Sequence, residues 1–117
     1  METRKIKPEE QALITYLLQK ANINPANYPI SDTVHEYEGG KMGSIHLVNE
    51  NTGEYDGDII QAQYIDEDDV IVMITLTKDT NNNLLDLDFW KVNFEKLIRY
   101  PKPEDLVFDN FKPIKEE

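Results

Sequence analysis

Two aspartates and one histidine are the residues of this chain whose types and spacing could do chemistry. Asp86 and Asp88 lie two residues apart in an alternating stretch, so both carboxylates point to the same side of a strand. Such a pair can bind a divalent cation, or it can act as an acid and a base with different pKa values. His46 is expected on the same side, and a histidine with two carboxylates is a conceivable metal site.

A simpler interpretation of this cluster stays open beside the chemical one. Such a strand face is commonly solvated, or its carboxylates pair with basic neighbours such as Lys91, Lys96 or Arg99. The glycine-rich turn at residues 39–43 lacks the spacing of a phosphate loop, and residues 49–58 do not fit the calcium-loop pattern. Because no catalytic signature appears, we predict no catalytic residue, no cofactor and no bound metal ion.

The charge of the chain favours one class of partner. Its 117 residues include 23 acidic and 12 basic side chains, a formal net charge of -11. This field repels phosphate backbones and anionic lipids, so we expect neither nucleic acid nor a membrane surface as a partner. A basic protein would be attracted, and the candidate acidic docking loop is Asp66, Glu67, Asp68 and Asp69. An acidic surface that only keeps the protein in solution is the alternative.

Composition limits the compartment and the number of domains. The chain has no cysteine, which rules out disulfides and thiolate ligands. No apolar run is long enough to span a bilayer, and the first residues lack the apolar region of a secretory signal. We therefore expect a cytoplasmic protein. The length fits a single domain over residues 1–117, with frayed ends at 1–6 and 112–117.

The chain is expected to begin with a helix and to continue as a sheet. Pro8–Ala21 carries an apolar stripe at helical spacing. Alternating segments predict strands at Thr33–Tyr37, Gly43–Val48, Asp58–Ile65, Val70–Thr77 and from Leu84 onwards. Short connections predict an antiparallel meander of about five strands. The expected fold class is α+β, with the helix packed on one face and a short helix, Phe94–Ile98, after the last strand.

The period of two sorts the strand side chains onto two faces. The helix should cover Ile45, Leu47, Ile60, Ala62, Tyr64, Val70, Val72, Ile74, Leu76, Leu85, Leu87 and Phe89. The opposite face is the candidate binding face, with His46, Gln61, Gln63, Asp86, Asp88 and Trp90. Trp90, the only tryptophan, is expected to be covered by the short helix or by Pro101–Phe111, because a large exposed aromatic is a liability.

Three stretches of the sequence carry a family resemblance. They are PEEQALITYLL in the first helix, the glycine turn that ends in MGS, and DLDFWKVNFEKLIRYPKPEDL. Together they resemble a small family of bacterial single-domain proteins of unknown function, and Asp88–Val92 is the most specific part. The resemblance spans most of the chain. It implies one domain and a bacterial source, and it implies no activity, cofactor or catalytic residue.

Two function classes remain open from the sequence. The first is a non-catalytic protein-binding module, because small, acidic, cysteine-free α+β domains are a common build of immunity proteins that neutralise basic toxin nucleases. The second is a small ligand-binding domain or enzyme that uses the sheet face of His46, Asp86, Asp88 and Trp90. A flat acidic surface would favour the first class, and a deep pocket with a perturbed carboxylate would favour the second.

Overall fold

The computed structural model describes residues 2–37 and 41–108. Within them the chain forms one helix, α1, and a sheet of six antiparallel strands. The elements are β1 (Arg4–Lys5), α1 (Pro8–Lys20), β2 (Thr33–Glu36), β3 (Ile45–Leu47), β4 (Tyr55–Ile65), β5 (Ile71–Asp79) and β6 (Leu84–Lys91). The predicted α+β class, antiparallel sheet and amino-terminal helix are confirmed. No helix in the described residues is long and apolar enough to cross a membrane.

The order of the strands is β1-β2-β3-β6-β5-β4. The strands β4, β5 and β6 form the expected meander, whereas β3 pairs with β6 instead of β4. Residues 48–54 carry the chain past two strands. Extended, they reach about 23 Å, and three strand spacings need only about 14 Å. A short connection was therefore long enough to skip two neighbours, and the order departs from a simple meander at this point.

The amino-terminal residues belong to the sheet and the core. Arg4 contacts the carboxylates of Glu10 and Glu36, each at 2.7 Å, and Ile6 is buried. The backbone N–H of Ile6 donates to the carbonyl of Asp32 at 2.7 Å. The expected frayed end at residues 1–6 is therefore wrong for residues 4–6, because a two-residue strand is too short to leave an alternating pattern. Residues 112–117 lie outside the described part of the chain.

The core lies between α1 and one face of the sheet. The buried apolar residues of α1 are Leu13, Ile14, Leu17 and Leu18. They join one cluster with the strand residues Val34, Ile45, Leu47, Ala62, Tyr64, Val72, Ile74, Leu76, Leu84, Leu87 and Phe89. Three expected members differ: Val70 lies in the turn before β5, Ile60 is half-buried, and Leu85 is buried but lies outside this cluster. Each fully buried large apolar side chain contributes about 1.5–3 kcal/mol, so this face stabilises the fold.

The segment after β6 differs from the predicted helix. Phe94–Ile98 is not helical; instead Asn93 Oδ1 accepts a hydrogen bond from the N–H of Glu95 at 3.0 Å. The carboxylate of Asp66 takes the N–H of Ile98 at 2.9 Å, a donor that a helix would use internally. The helical segment after the last strand is a single 3₁₀ turn, which comes later, at Pro103–Asp105.

The last described residues pack on the helix side of the sheet. Leu106 is buried in the core, and the ring of Phe108 lies 6.3 Å from that of Tyr16 in α1. Val107 forms an isolated antiparallel bridge with Gln63 on the outer edge of β4. The expectation that Pro101–Phe111 covers Trp90 is therefore wrong for the described residues, and Phe111 lies outside them.

Candidate functional site

The structure places all six predicted binding-face residues on the side of the sheet opposite α1, which we call the open face. They are His46, Gln61, Gln63, Asp86, Asp88 and Trp90. His46 of β3 is paired with Asp86 of β6, and Met73 of β5 lies between Gln63 and Trp90. Directly paired residues present their side chains to the same face, so the register itself produces this grouping.

Asp86 is the centre of a hydrogen-bonded cluster on the open face. Its Oδ1 accepts a bond from the Tyr37 hydroxyl at 2.8 Å and lies 3.0 Å from Nδ1 of His46. The rings of Tyr37 and His46 meet edge to face, with centroids 6.4 Å apart. Burial, the bond to Asp86, and the charges of Asp86 and Asp88 all raise the pKa of Tyr37 above its ordinary range. The phenol therefore stays protonated and holds the carboxylate in place.

Ser44 links two strands and is not positioned as a nucleophile. Its Oγ accepts the N–H of Phe89 at 2.8 Å and lies 3.1 Å from the Phe89 carbonyl and 3.2 Å from Oδ1 of Asp88. Gly43, directly before it, has a φ of 95°, which glycine adopts without steric cost. The turn and the hydroxyl together extend the contact of β3 with β6 beyond the backbone ladder.

A groove of about 520 Å³ lies on the open face, and we call it the aromatic-acidic groove. Trp90 and Phe94 form its aromatic wall, with ring centroids 6.1 Å apart. Asp86 and Asp88 form its acidic side, and Lys41 lines another part of its rim. The volume lies within the range of about 300–1,000 Å³ that is common for small-ligand sites. The groove is therefore large enough for a side chain or a small molecule.

Beyond Trp90 the open face becomes apolar while remaining exposed, and we call this part the apolar end. Its side chains are between 37% and 64% exposed: Ile65, Ile71, Trp90, Val92 and Phe94. Ile65 pairs with Ile71 across β4 and β5, and the N–H of Val92 donates to the Ile71 carbonyl. Sequence reasoning missed four of these five residues. The alternation that placed Gln61 and Gln63 on this face could have placed Ile65 there too, and the same period in β5 applies to Ile71.

Phe94 is exposed on a strained backbone. Its φ is 64°, in the left-handed region, which costs roughly 1–2 kcal/mol for a residue with a β-carbon. The N–H of Phe94 donates to the Lys91 carbonyl at 2.8 Å, which fixes the turn. The ring gains little from burial, because it is 64% exposed. Backbone strain of this kind is often found at functional surfaces.

The predicted acidic docking loop divides into an internal and an external part. Asp66 is buried, accepting hydrogen bonds from the Lys91 ammonium at 2.9 Å and from the backbone N–H groups of Glu67, Ile98 and Arg99. Asp68 also contacts Lys91, at 2.8 Å. The prediction that Asp66 is a docking residue is therefore wrong, because its side chain is buried. Glu67 and Asp69 are exposed.

The ionised state of Asp66 is stabilised despite its burial. Burial by itself would raise the pKa of this carboxyl, but the hydrogen bonds from Ile98, Lys91, Glu67 and Arg99 together lower the pKa to about 2. A carboxylate with several donors keeps its charge inside a protein for this reason. The acidic run therefore contributes an internal anion as well as surface charge.

The conceivable metal site at His46, Asp86 and Asp88 is not formed. In the described residues no group of three or more histidine, aspartate or glutamate side chains could hold a metal ion. Asp86 uses its Oδ1 for Tyr37 and His46 instead.

Comparison with known proteins gives a family without an assigned activity. A family model described as a domain of unknown function, DUF6984, matches residues 3–101. No curated protein and no solved structure matches the chain. The match confirms the resemblance to a family of unknown function, and any role must be inferred from the surfaces described above.

Proposed function

The chain belongs to the family described as a domain of unknown function, DUF6984, and we propose that it is a non-catalytic module that binds a basic protein. The binding surface is the open face, where the apolar end lies directly beside the carboxylates of the aromatic-acidic groove. This adjacency of exposed aromatics and fixed acidic groups is the observation that carries the proposal.

The apolar end has the composition of a binding anchor. Soluble proteins rarely leave contiguous apolar patches exposed unless they serve an interaction. Tryptophan is among the residues that most often dominate protein interfaces, and large aromatics are enriched there. Trp90 and Phe94 contact each other on this surface. A partner that covers them would bury rings that the fold itself leaves in water.

The charge of the molecule supports a basic partner. The net charge of -11 attracts cationic surfaces and speeds their encounter. Asp86 and Asp88 place part of that charge beside the apolar end. Because exposed charges more than about 10 Å apart are largely screened at about 0.1 M salt, association should slow as ionic strength rises. The finer version of the proposal, an immunity-like inhibitor of a basic nuclease toxin, has the support of charge and size.

A ligand-binding or enzymatic role is the second candidate. Its support is the groove together with the hydrogen-bonded cluster of His46, Asp86 and Tyr37. The geometry favours it less, because the shared carboxylate oxygen is occupied by both neighbours and the pKa of the phenol is raised. A phenol that retains its proton is a poor base at neutral pH.

The test needs a basic protein as the candidate partner, and the products of the neighbouring genes are the first to be screened for one. Association and dissociation rates are measured at low and high ionic strength with the wild-type protein and with Asp86→Asn/Asp88→Asn. A matched control, Glu50→Gln/Glu54→Gln, removes the same charge from exposed positions outside the groove. We expect the open-face variant to lose on-rate and salt dependence more than the control. Salt-independent association, or turnover of a small molecule by the isolated protein, would contradict the proposal.

A further inference from the structure

We propose that the aromatic-acidic groove receives the guanidinium group of an arginine side chain, stacked on Trp90 and hydrogen-bonded to Asp86. This inference rests on the proposed function and specifies it, since the arginine would belong to the basic partner. It follows from the charge of the groove, from the spacing of its rings and from the hydrogen bonds that fix its carboxylate.

The hydrogen bonds of Asp86 orient the group for a ligand. Tyr37 and His46 both bond to Oδ1, and the described residues donate no hydrogen bond to Oδ2. A carboxylate held in this way loses little freedom when a cation binds it, which favours affinity. Two carboxylates and one ammonium, that of Lys41, line the groove. The groove lining therefore has an excess of negative charge.

The spacing of the rings limits how a cation can bind. Stacking needs about 3.5–4 Å on each side of a planar group, so a guanidinium between two rings requires about 7 Å or more. The centroids of Trp90 and Phe94 are 6.1 Å apart and the rings are inclined by 52°. A guanidinium therefore stacks on one face of Trp90 and does not enter between the two rings.

Arginine fits this groove better than lysine. The guanidinium is planar and weakly hydrated, and its fork of donors can reach a carboxylate while its face lies on an aromatic ring. The lysine ammonium is a compact and strongly hydrated charge. The groove has an aromatic wall at Trp90 and a fixed carboxylate at Asp86, and the guanidinium combines the two kinds of contact that these groups make.

The test uses the single tryptophan as a reporter. Because Trp90 is the only tryptophan of the chain, its fluorescence reports directly on the groove. The full chain is titrated at low salt with a short peptide that carries one arginine, and with the same peptide carrying citrulline or lysine instead. We expect saturable changes with arginine, weaker ones with lysine and none with citrulline, which has the same shape without the charge.

Variants that retain Trp90 locate the contacts. Asp86→Asn should weaken arginine binding about tenfold, as expected for a lost charge-assisted hydrogen bond. Phe94→Gly should weaken it a few-fold, and glycine adopts the positive φ without strain.

Tyr37→Phe retains the carboxylate charge and should change binding less than Asp86→Asn. Lys41→Gln removes the positive charge of the groove lining and should strengthen binding. Equal weakening by Asp86→Asn and by Glu50→Gln/Glu54→Gln would overturn the assignment.

The outcomes separate this inference from the proposed function. Equal binding of the arginine and citrulline peptides would overturn the guanidinium site. The same holds if the arginine peptide gives no response while the basic protein still binds with steep salt dependence. Both outcomes leave the proposed protein-binding role standing. Loss of both responses would remove the two together. Binding of arginine that depends on Asp86 supports the site.

Discussion

Trp90 and Lys91 are neighbours in β6, and the burial of their side chains is the reverse of what their polarity would suggest. The lysine is fully buried on the helix side, and the tryptophan is 46% exposed on the open face. Burial in this protein is therefore set by strand alternation and by available partners, and not by side-chain polarity alone. The two faces of β6 therefore differ in role: the helix side carries residues that stabilise the fold, and the open face carries residues that are accessible to a partner.

The partners of Lys91 explain how a lysine can be internal. Its ammonium donates to Asp66 at 2.9 Å and to the Lys96 carbonyl at 3.1 Å, and it contacts Asp68 at 2.8 Å. Burial by itself would lower the pKa of Lys91, but the bonds to Asp68 and Asp66 outweigh it and raise the pKa. A buried charge with this many partners is tolerated because its donors are satisfied.

Two aspartates show the same division. Asp66 is enclosed and joins the turn after β4 to Lys91 and to the segment after β6. Asp86 is partly exposed in the groove, with bonds to side chains of the open face. The first holds the fold together, and the second lies at the open groove. Substitutions on the two sides should therefore separate stability from binding.

The largest expected effect is that of Asp66→Ala on stability. Removing one partner of a buried ion pair costs about 3–5 kcal/mol, because the other charge stays buried. The melting temperature should fall by roughly 10–20 °C, measured by thermal and urea unfolding. Glu67→Ala, at the exposed neighbour, is the control and should change stability by less than about 0.5 kcal/mol. Equal small changes in both variants would show that Asp66 is not a structural anion.

The same anion predicts how stability depends on pH. The pKa of Asp66 is about 2, below its ordinary value of 3.8, and the pKa of Asp79 and of Asp105 is also lowered. Carboxyls with lowered pKa values stabilise the fold above about pH 4 and lose that contribution as the pH falls towards 2. Unfolding free energies between these values should fall more steeply for the wild type than for Asp66→Asn. If the unfolding free energies of the wild type and of Asp66→Asn fell equally steeply with pH, the lowered pKa of Asp66 would be contradicted.

Much of this division was predictable from the alternating sequence. The period of two placed His46, Asp86, Asp88 and Trp90 on one face, and the register confirms that they share it. Alternation also implies that Lys91 faces the core, but a lysine is seldom assigned there without a known partner. That partner, Asp66, is 25 residues away in the sequence, so no local pattern reveals the pair.

The positions that were not predictable depend on long-range contacts and on backbone conformation. Phe94–Ile98 has helix-forming residues, but the Asp66 carboxylate takes the N–H groups of Ile98 and Arg99. The positive φ of Phe94 has no sequence signature in a residue of this type. The pairing of β3 with β6 likewise depends on which strand edges meet in space, which short connections leave undetermined.

A smaller effect, of opposite sign, is expected for Phe94→Gly. Glycine relieves the left-handed strain of this turn, while the lost ring is mostly exposed. Stability should therefore stay level or rise by up to about 1 kcal/mol, measured by urea unfolding. The matched change Asn93→Gly, next in the chain, removes the cap of Glu95 and should destabilise. A marked loss of stability in Phe94→Gly would show that the ring supports the fold.

Only a small loss of stability is expected for Trp90→Ala. A covered tryptophan would cost about 3–5 kcal/mol on truncation, but nearly half of this side chain is in water and its described ring contact is with the exposed Phe94. We expect a loss of no more than about 1 kcal/mol, measured by urea unfolding with circular dichroism, since the variant has no tryptophan fluorescence. The same variant should release the basic partner faster while its association rate changes little, because aromatic anchors govern dissociation and charge governs encounter. A loss of 3 kcal/mol or more would place Trp90 in the core, and the open face would then lose its anchor.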